Sequence, residues 1–294
     1  MNFVFLGWLL GSERSKSALL MSAVGHGTNI GLDLLFIGRF GWGAAGAGAA
    51  TAWSRLAMLL CALWLSRDLL RGVHWGRAFS DLRDLHAFKR LASLNTDILI
   101  RTVALVSVFG VFTNLAAMMG TVVLAAAALV RQVISFSAFF VDGFAFATES
   151  LAGYFAGASR QGELRRLLRM SILASVLTSA LFAGAFLVAP HALFSLFTDH
   201  GDVLRLASRL RFWLIPTLLI GAIAYALDGY FLGISAGAIL RKAMLWSAIL
   251  GFAPFAWIAI ERSDVHLLFL ALSRFMCARV WTVGREIRRS TPSL

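Results

Sequence analysis

Three polar side chains interrupt a long apolar run near the N-terminus, and their chemistry suits proton transfer. His26, Asn29 and Asp33 lie in the stretch HGTNIGLDLLFIG at 26–38. Their spacing places them on one face of an α-helix. A carboxylic acid away from water favours its protonated form, so it can take up and release H⁺. We predict an ion-coupling site in which Asp33 binds H⁺, Asn29 orients Asp33 and His26 relays protons.

Ordinary structural roles would also explain the same residues. Asp33 lies close to the predicted outer end of its helix at residue 38, where it would contact extracellular water. Asn29 would then form a hydrogen bond between helices, as polar residues in membrane bundles do. The spacing alone leaves both explanations open.

A second group of ionisable residues occurs in the C-terminal two thirds of the chain. Asp97 and Arg101 have the i,i+4 spacing of a helical ion pair, in the favourable order. Asp142, Glu149 and Asp228 lie toward the same side of their own predicted helices. We predict that these five residues form a cytoplasmic gate network, which closes in one state and parts in another. The alternative is helix capping near Asp97 with ordinary pairing between helices.

Arg131 falls near the predicted middle of an apolar helix. An arginine at the bilayer centre costs about 2.5–3.5 kcal/mol on insertion scales, so it should face the protein interior or a wet cavity. We predict that Arg131, Gln132 and Asn114 line a substrate cavity.

Apolar segments must position these residues. The chain has 294 residues, of which 59% are hydrophobic and 14% charged, and its mean hydropathy is +0.79. Soluble domains carry about 25% charged residues, whereas a membrane-spanning helix needs roughly 20 apolar residues. We therefore predict an all-α polytopic membrane protein with about eight full transmembrane helices and a stub at 1–11. The full helices are predicted at 17–38, 43–66, 95–119, 121–145, 167–189, 209–232, 237–260 and 265–284.

Basic residues indicate the orientation of the helices. If the helices alternate, most Lys and Arg residues fall on one side, and Arg39 and Arg262 fall on the other. Because basic loops stay in the cytoplasm, we expect an inner (cytoplasmic) membrane protein with cytoplasmic basic loops and C-terminus. This distribution also explains the net charge of +12, so we expect no nucleic-acid partner. The basic side holds Arg14, Lys16, Arg67, Arg71, Arg77, Arg83, Lys89, Arg90, Arg160, Arg165, Arg166, Arg169, Arg241, Lys242, Arg285, Arg288 and Arg289.

Two short similarities indicate an internal repeat. GWLLG at 7–11 resembles GYFLG at 229–233, and SALLMSAV at 17–24 resembles KAMLWSAI at 242–249. Parallel repeats are typical of transporters. The polar connection between the halves carries an apolar stripe, as an interfacial helix would. We predict a partial N-terminal lobe at 1–66, a cytoplasmic inter-lobe linker with an interfacial amphipathic helix at 67–92, and a C-terminal six-helix lobe at 93–290.

Several longer segments, taken together, resemble one transporter family. They are NIGLDLLFIGRFGWGAAGAGAATAWSR from residue 29, LNTDILIRT from residue 94, FFVDGFAFATESLAGYFAG from residue 139 and LDGYFLG from residue 227. In this order they resemble the multidrug and toxic compound extrusion (MATE) family, and within it the DNA-damage-inducible protein F (DinF) branch. The resemblance implies a twelve-helix, two-lobe antiporter that exports organic cations and amphipathic compounds against inward flow of H⁺ or Na⁺. It implies no metal, nucleotide or organic cofactor.

The resemblance also implies that the chain begins where the family's fourth helix ends. Helices one to three would then be missing, among them the first-helix acid that works with the fifth-helix Asp in the H⁺-coupled branch. Asp33 matches that fifth-helix position.

The combined prediction is a cation-coupled antiporter, with H⁺ as the expected ion and Na⁺ as the alternative. It would export amphipathic or cationic small molecules by alternating access, as a monomer in the lipid bilayer. A lipid-linked precursor flippase of a related two-lobe fold and a truncated remnant that does not transport remain open. No HExxH motif occurs and the six His residues are scattered, so we expect no enzymatic activity.

Overall fold

Helices make up nearly all of the described structure. The computed structural model describes residues 1–12, 14–71 and 85–290, and no strand occurs in these ranges. The α-helices are α1 (Asn2–Gly11), α2 (Ser15–Asp33), α3 (Gly43–Arg71), α4 (Leu85–Met118), α5 (Thr121–Gly157), α6 (Gln161–Val188), α7 (Pro190–Phe194), α8 (Gly201–Leu210), α9 (Leu214–Gly233), α10 (Gly237–Trp246), α11 (Ala253–Glu261) and α12 (Val265–Ser290). A π-helix at Leu34–Arg39 continues α2, a 3₁₀ turn at Arg211–Trp213 joins α8 to α9, and a π-helix at Ser247–Phe252 joins α10 to α11.

The predicted transmembrane helices are confirmed. Within the described ranges, eight helical segments are long and apolar enough to cross a membrane, and α1 is a shorter apolar helix. The chain is therefore an all-α, multi-pass membrane protein with eight candidate spans and a stub. The spans are Ser15–Arg39, Gly43–Leu69, Leu91–Met118, Thr121–Gly157, Gln161–Val188, Gly201–Gly233, Gly237–Glu261 and Val265–Ile287.

The helix α6 shows how these helices are adapted to lipid. Its inner face buries small polar residues one turn apart, including Ser171 and Ser175, whereas Leu173, Leu177 and Leu181 are 60–74% exposed. A helix of a soluble protein would place the leucines inside. In a bilayer the apolar face meets lipid, and small polar residues let helices approach closely and form hydrogen bonds.

The chain divides into two compact units, Met1–Phe88 and Lys89–Leu294. In the first unit, α1, α2 and α3 pack against one another. Their shared core contains Leu9, Met21 and Met58. Gly25 of α2 is buried against the Met58 side chain of α3.

In the second unit, α9 is the central helix and packs against α5, α6 and α12. Two hydrogen bonds between hydroxyl groups join helices inside this bundle. Thr148 of α5 donates to Ser171 of α6 across 2.6 Å, and the hydroxyls of Thr217 (α9) and Ser273 (α12) lie 3.1 Å apart. Buried hydroxyl pairs satisfy each other where no water can.

The predicted linker falls partly outside the described residues. The helix α3 continues to Arg71 and α4 begins at Leu85, and residues 72–84 lie between the described ranges. The interfacial helix predicted at 67–92 therefore stays a prediction. Two residues of the predicted apolar stripe, Leu85 and Phe88, belong to the first turn of α4, and both are exposed.

Some predicted helices were too short; the one predicted at 121–145, for example, extends to Gly157. The span predicted at 209–232 begins at Gly201. The prediction placed its start too late because the polar face of α8 lowers the local hydropathy without ending the helix. Three cations, Arg205, Arg209 and Arg211, lie at the end of this helix opposite the basic side, in addition to Arg39 and Arg262. Arg205 pairs there with the exposed Asp202.

Two glycines allow α9 to approach α5 more closely than side chains permit. A Cβ atom at Gly229 would overlap the Ala145 carbonyl oxygen, and one at Gly233 would overlap the Glu149 carbonyl oxygen. The spacing of four residues puts both glycines on one face, as in small-residue helix pairs of membranes. The contact brings Asp228, which precedes Gly229, within electrostatic range of Asp142 on α5.

We expect Gly229→Ala to destabilise the second unit by about 1–3 kcal/mol, because the added methyl group must push α9 away from the α5 backbone. Gly184→Ala on α6 is the matched control, since the space around Gly184 is open. Thermal unfolding of the purified chain in detergent measures both. Equal melting temperatures for the two variants would contradict the close contact.

Candidate functional site

The Asp228 carboxylate is shared by two arginines on different helices. Arg101 of α4 and Arg279 of α12 each donate from Nη2 to the same oxygen, Oδ2. The side chains are 7% exposed for Asp228, 14% for Arg101 and 2% for Arg279. Three helices thus meet at one buried carboxylate. A buried carboxylate of this kind is stable only when its charge is paired and hydrogen-bonded.

Arg279 is held from several directions. Its guanidinium lies over the rings of Tyr225 and Phe275, at 5.6 and 5.7 Å from the ring centroids. Its Nη1 atom also donates to the Met276 sulfur at 3.5 Å. Aromatic faces stabilise a cation that water no longer surrounds. Arg279 is therefore a fixed partner for Asp228, not a flexible surface cation.

Two further carboxylates lie within electrostatic range of this cluster. Asp142 interacts with Asp228 and with both arginines, and Glu149 interacts with Arg101. Both acids are half-buried on α5. Three carboxylates face two guanidinium groups, so the cluster carries one net negative charge when every group is ionised. One bound proton or monovalent cation would neutralise it.

The i,i+4 spacing predicts that Asp97 pairs with Arg101, and this pairing is wrong. Arg101 pairs with Asp228, as described, and Asp97 pairs with Arg241 of α10. The Asp97 carboxylate also lies beside Gly237, the first residue of α10. A negative charge is favourable at a helix N-terminus. Asp97 and Arg101 therefore each pair with a residue of another helix and not with each other.

In the first unit, Asn29 and Asp33 are one helical turn apart on α2. The Asp33 Oδ1 and Asn29 Nδ2 atoms are both buried, and neither has a hydrogen-bond partner among the described residues. Asp33 is the last residue of α2 before the π-helix Leu34–Arg39, and π-turns are frequent at functional sites. His26 is exposed. The structure thus presents a half-buried carboxylate one helical turn from an amide, and the ion-coupling roles of Asp33, Asn29 and His26 stay predictions.

The predicted substrate-cavity residues differ in their surroundings. Arg131 is half-buried, and its Nε atom lacks a hydrogen-bond partner within the described part of the chain. Gln132 and Asn114 are exposed. The assignment of these three residues to a substrate cavity stays a prediction.

Ser235 is the centre of a short motif with a known catalytic counterpart. The segment GISAG at 233–237 matches the GxSxG pattern of nucleophilic serines. In hydrolases this pattern links a strand to a helix, whereas Ser235 links α9 to α10. The motif is therefore a turn between helices, which explains the positive φ of 59° at Ser235.

The helical architecture and the buried ion pairs define a class: a polytopic helical membrane protein with six candidate spans in its second unit. Comparison with known proteins gives the family. The MatE family profile matches residues 98–258, more than half of the chain. The chain belongs to the MatE family.

Individual relatives agree with this assignment. DNA damage-inducible protein F of Escherichia coli (strain K12) is 31% identical over 290 residues, covering 98% of this chain and 62% of that protein. A mutant of the Vibrio cholerae MATE transporter VcmN has the same fold, with a TM-score of 0.86, 19% identity and coverage of 99% and 66% of the two chains. The structure of an outward-facing multidrug resistance MATE family transporter matches with a TM-score of 0.85 and 19% identity. This match covers 100% of this chain and 66% of that transporter. The chain thus spans less than two thirds of the length of these relatives.

Sequence analysis missed Arg279. The residue lies inside the last predicted helix, and an arginine within an apolar span signals a buried partner. That signal was present at Arg131 and Arg279 alike. The partner of Arg279 depends on how α9 and α12 pack, which helical spacing does not reveal.

A double-mutant cycle tests the two alternative pairings. We expect Asp228→Asn and Arg101→Gln to show a coupling energy of about 1 kcal/mol or more, because these two side chains form a buried ion pair. The matched cycle on Asp97→Asn and Arg101→Gln should show less than about 0.5 kcal/mol. Unfolding of the purified variants in mixed detergent micelles measures both. A larger coupling in the second cycle would restore the pairing predicted from spacing.

Proposed function

We propose that this protein is a cation-coupled antiporter that uses H⁺ and exports amphipathic or cationic small molecules by alternating access. The observation that carries the proposal is the buried Asp33 Oδ1 atom, which has no hydrogen-bond partner among the described residues and belongs to a residue one helical turn from Asn29, within the first candidate span. The substrate class is supported by the likeness to a structure described as a multidrug resistance MATE family transporter.

The coupling chemistry follows from the surroundings of Asp33. An ionised carboxylate in a membrane span is costly unless a positive charge neutralises it. Asp228 receives that charge from arginines, whereas no described residue pairs with Asp33 Oδ1. A proton or a cationic substrate would therefore compete for the same carboxylate. Asn29 can donate a hydrogen bond to Asp33 when the carboxylate is ionised.

Competition at one carboxylate is sufficient for exchange. A protonated Asp33 favours one conformation and an ionised Asp33 favours another, because each ligand shifts the population toward the state that it binds better. Protons that enter from outside would displace a cationic substrate and move inward as the substrate leaves.

We assign a gating role to the buried ion pairs of the second unit. Arg101 and Asp97 tie α4 to α9 and α10. The other helices of this unit pack through more extensive backbone contacts than α4 does. Movement of α4 would therefore require both ion pairs to part or to exchange partners. Asp142 and Glu149 are alternative acceptors for Arg101 in such an exchange.

Transport by membrane vesicles tests the coupling site. We expect an imposed pH gradient to drive efflux of a fluorescent organic cation, and Asp33→Asn to reduce this efflux to background at equal expression, because the amide cannot exchange protons. Asn29→Ala should lower the rate less, since it removes an orienting donor and leaves the carboxylate. Asp202→Asn is the matched control, because Asp202 is an exposed acid at the end of α8.

Three outcomes would change this proposal. Full activity in Asp33→Asn would remove Asp33 from the mechanism. Efflux driven by a Na⁺ gradient at constant pH would replace H⁺ with Na⁺. No efflux from the unmodified chain under either gradient would show that it does not transport by itself.

Cysteine labelling tests the orientation. In a background with Cys61→Ala and Cys277→Ala, we expect Ser159→Cys to react with a membrane-impermeant maleimide only after permeabilisation, because the α5–α6 connection is on the basic side. Ser263→Cys, between α11 and α12, should react in intact cells. The reverse pattern would contradict the cytoplasmic placement of the basic loops.

A further inference from the structure

A groove of about 420 Å³ lies between α10 and α12. None of the residues that form the buried ion pairs lines it. Its side walls are the indole rings of Trp246 and Trp281, which are 57% and 62% exposed. Lys242, Arg285 and the apolar side chain of Leu250 also line the groove.

The two helices arrange their cations and tryptophans in the same order across the membrane. On α10, Lys242 precedes Trp246 by four residues, and on α12, Arg285 follows Trp281 by four residues. The two helices belong to consecutive spans, which cross the membrane in opposite directions. On each helix the cation is therefore one turn nearer to the basic side than its tryptophan. Two helices of opposite direction thus present one layer of positive charge and one layer of indole rings.

These layers match the order of groups in a phospholipid leaflet. Tryptophan favours the interfacial region beneath the headgroups, and cations between helices at this depth bind lipid phosphates. Leu250 lies eight residues beyond Lys242, about 12 Å further along the helix, at the depth of the acyl chains. Arg285 is already ordered, since its guanidinium lies over the Trp281 ring at 4.6 Å from the centroid.

We propose that this groove is a binding site for one anionic phospholipid of the leaflet on the basic side. Lys242 and Arg285 hold the lipid phosphate, and Trp246 and Trp281 enclose the glycerol backbone and upper acyl chains. Leu250 contacts one acyl chain at greater depth. Occupancy of the site, near the end of the span Val265–Ile287, would then depend on the lipid composition of the membrane.

The acidic side chain of Glu286 sets the charge that the groove accepts. Glu286 lines the groove together with the two cations, which leaves a net charge of one positive when all three are ionised. A lipid with a single negative charge neutralises the groove. A free, doubly charged phosphate lacks the apolar part that the indole walls would cover, so the groove favours a lipid over a soluble anion.

Native mass spectrometry of the full chain in detergent tests the proposal. Titration with phosphatidylglycerol should show one tightly bound lipid, and phosphatidylcholine should bind more weakly. We expect Lys242→Gln with Arg285→Gln to weaken this site roughly 10- to 30-fold, because two cations near the lipid surface are removed. Arg166→Gln with Arg169→Gln is the matched control. These two arginines of α6 are exposed, lie on the basic side of the membrane as Lys242 and Arg285 do, and do not line the groove.

Further variants separate binding from folding. Glu286→Gln should strengthen binding of phosphatidylglycerol, and Lys242→Arg with Arg285→Lys should retain it, so neither result depends on a destabilised protein. Soluble glycerol phosphate should not displace the lipid. Equal weakening by the control pair, equal binding of phosphatidylcholine, or displacement by glycerol phosphate would each overturn the site.

Discussion

The second unit is organised around the charge of one carboxylate. Asp228 cannot remain ionised in a low-dielectric bundle without partners, and two arginines from different helices supply them. This requirement explains other features nearby. Gly229 and Gly233 allow α9 to approach α5, and two aromatic rings hold Arg279 in place. Packing and electrostatics therefore both act on α9, which packs closely against α5 through its glycines and pairs with α4 and α12 through its carboxylate.

In the first unit, the carboxylate of Asp33 has different surroundings. Asp33 lies in a membrane span as Asp228 does, yet its buried oxygen has no hydrogen-bond partner among the described residues. The Asp228 carboxylate is paired with arginines of the protein, whereas the Asp33 carboxylate would bind a proton or a cationic substrate under the proposed function. This contrast favours a structural and gating role for Asp228 and a coupling role for Asp33. Under the proposed function, the same residue type would serve two purposes, according to whether an arginine pairs with it.

Much of the fold was predictable because it depends on local properties. Hydropathy and length identify a span without knowledge of its neighbours, and eight spans and a stub were predicted in this way. The start of α8 was missed because its charged face lowers the local hydropathy. The pairing of Asp97 with Arg241 and of Arg101 with Asp228 was also missed. Helical spacing reports only contacts along one helix, and these pairs depend on how four helices cross.

The length of the helix from Gly201 to Gly233 has a mechanical consequence. Its 33 residues extend for about 50 Å, whereas the hydrocarbon layer is about 30 Å thick. Part of this helix must therefore lie outside the hydrocarbon layer, and the charged face with Arg205 and Arg209 suits the end in contact with water. Because Asp228 is near the other end, a small tilt about the bilayer centre would displace both ends in opposite directions. Rearrangement at the buried carboxylate would thus be accompanied by motion at the far surface of the membrane.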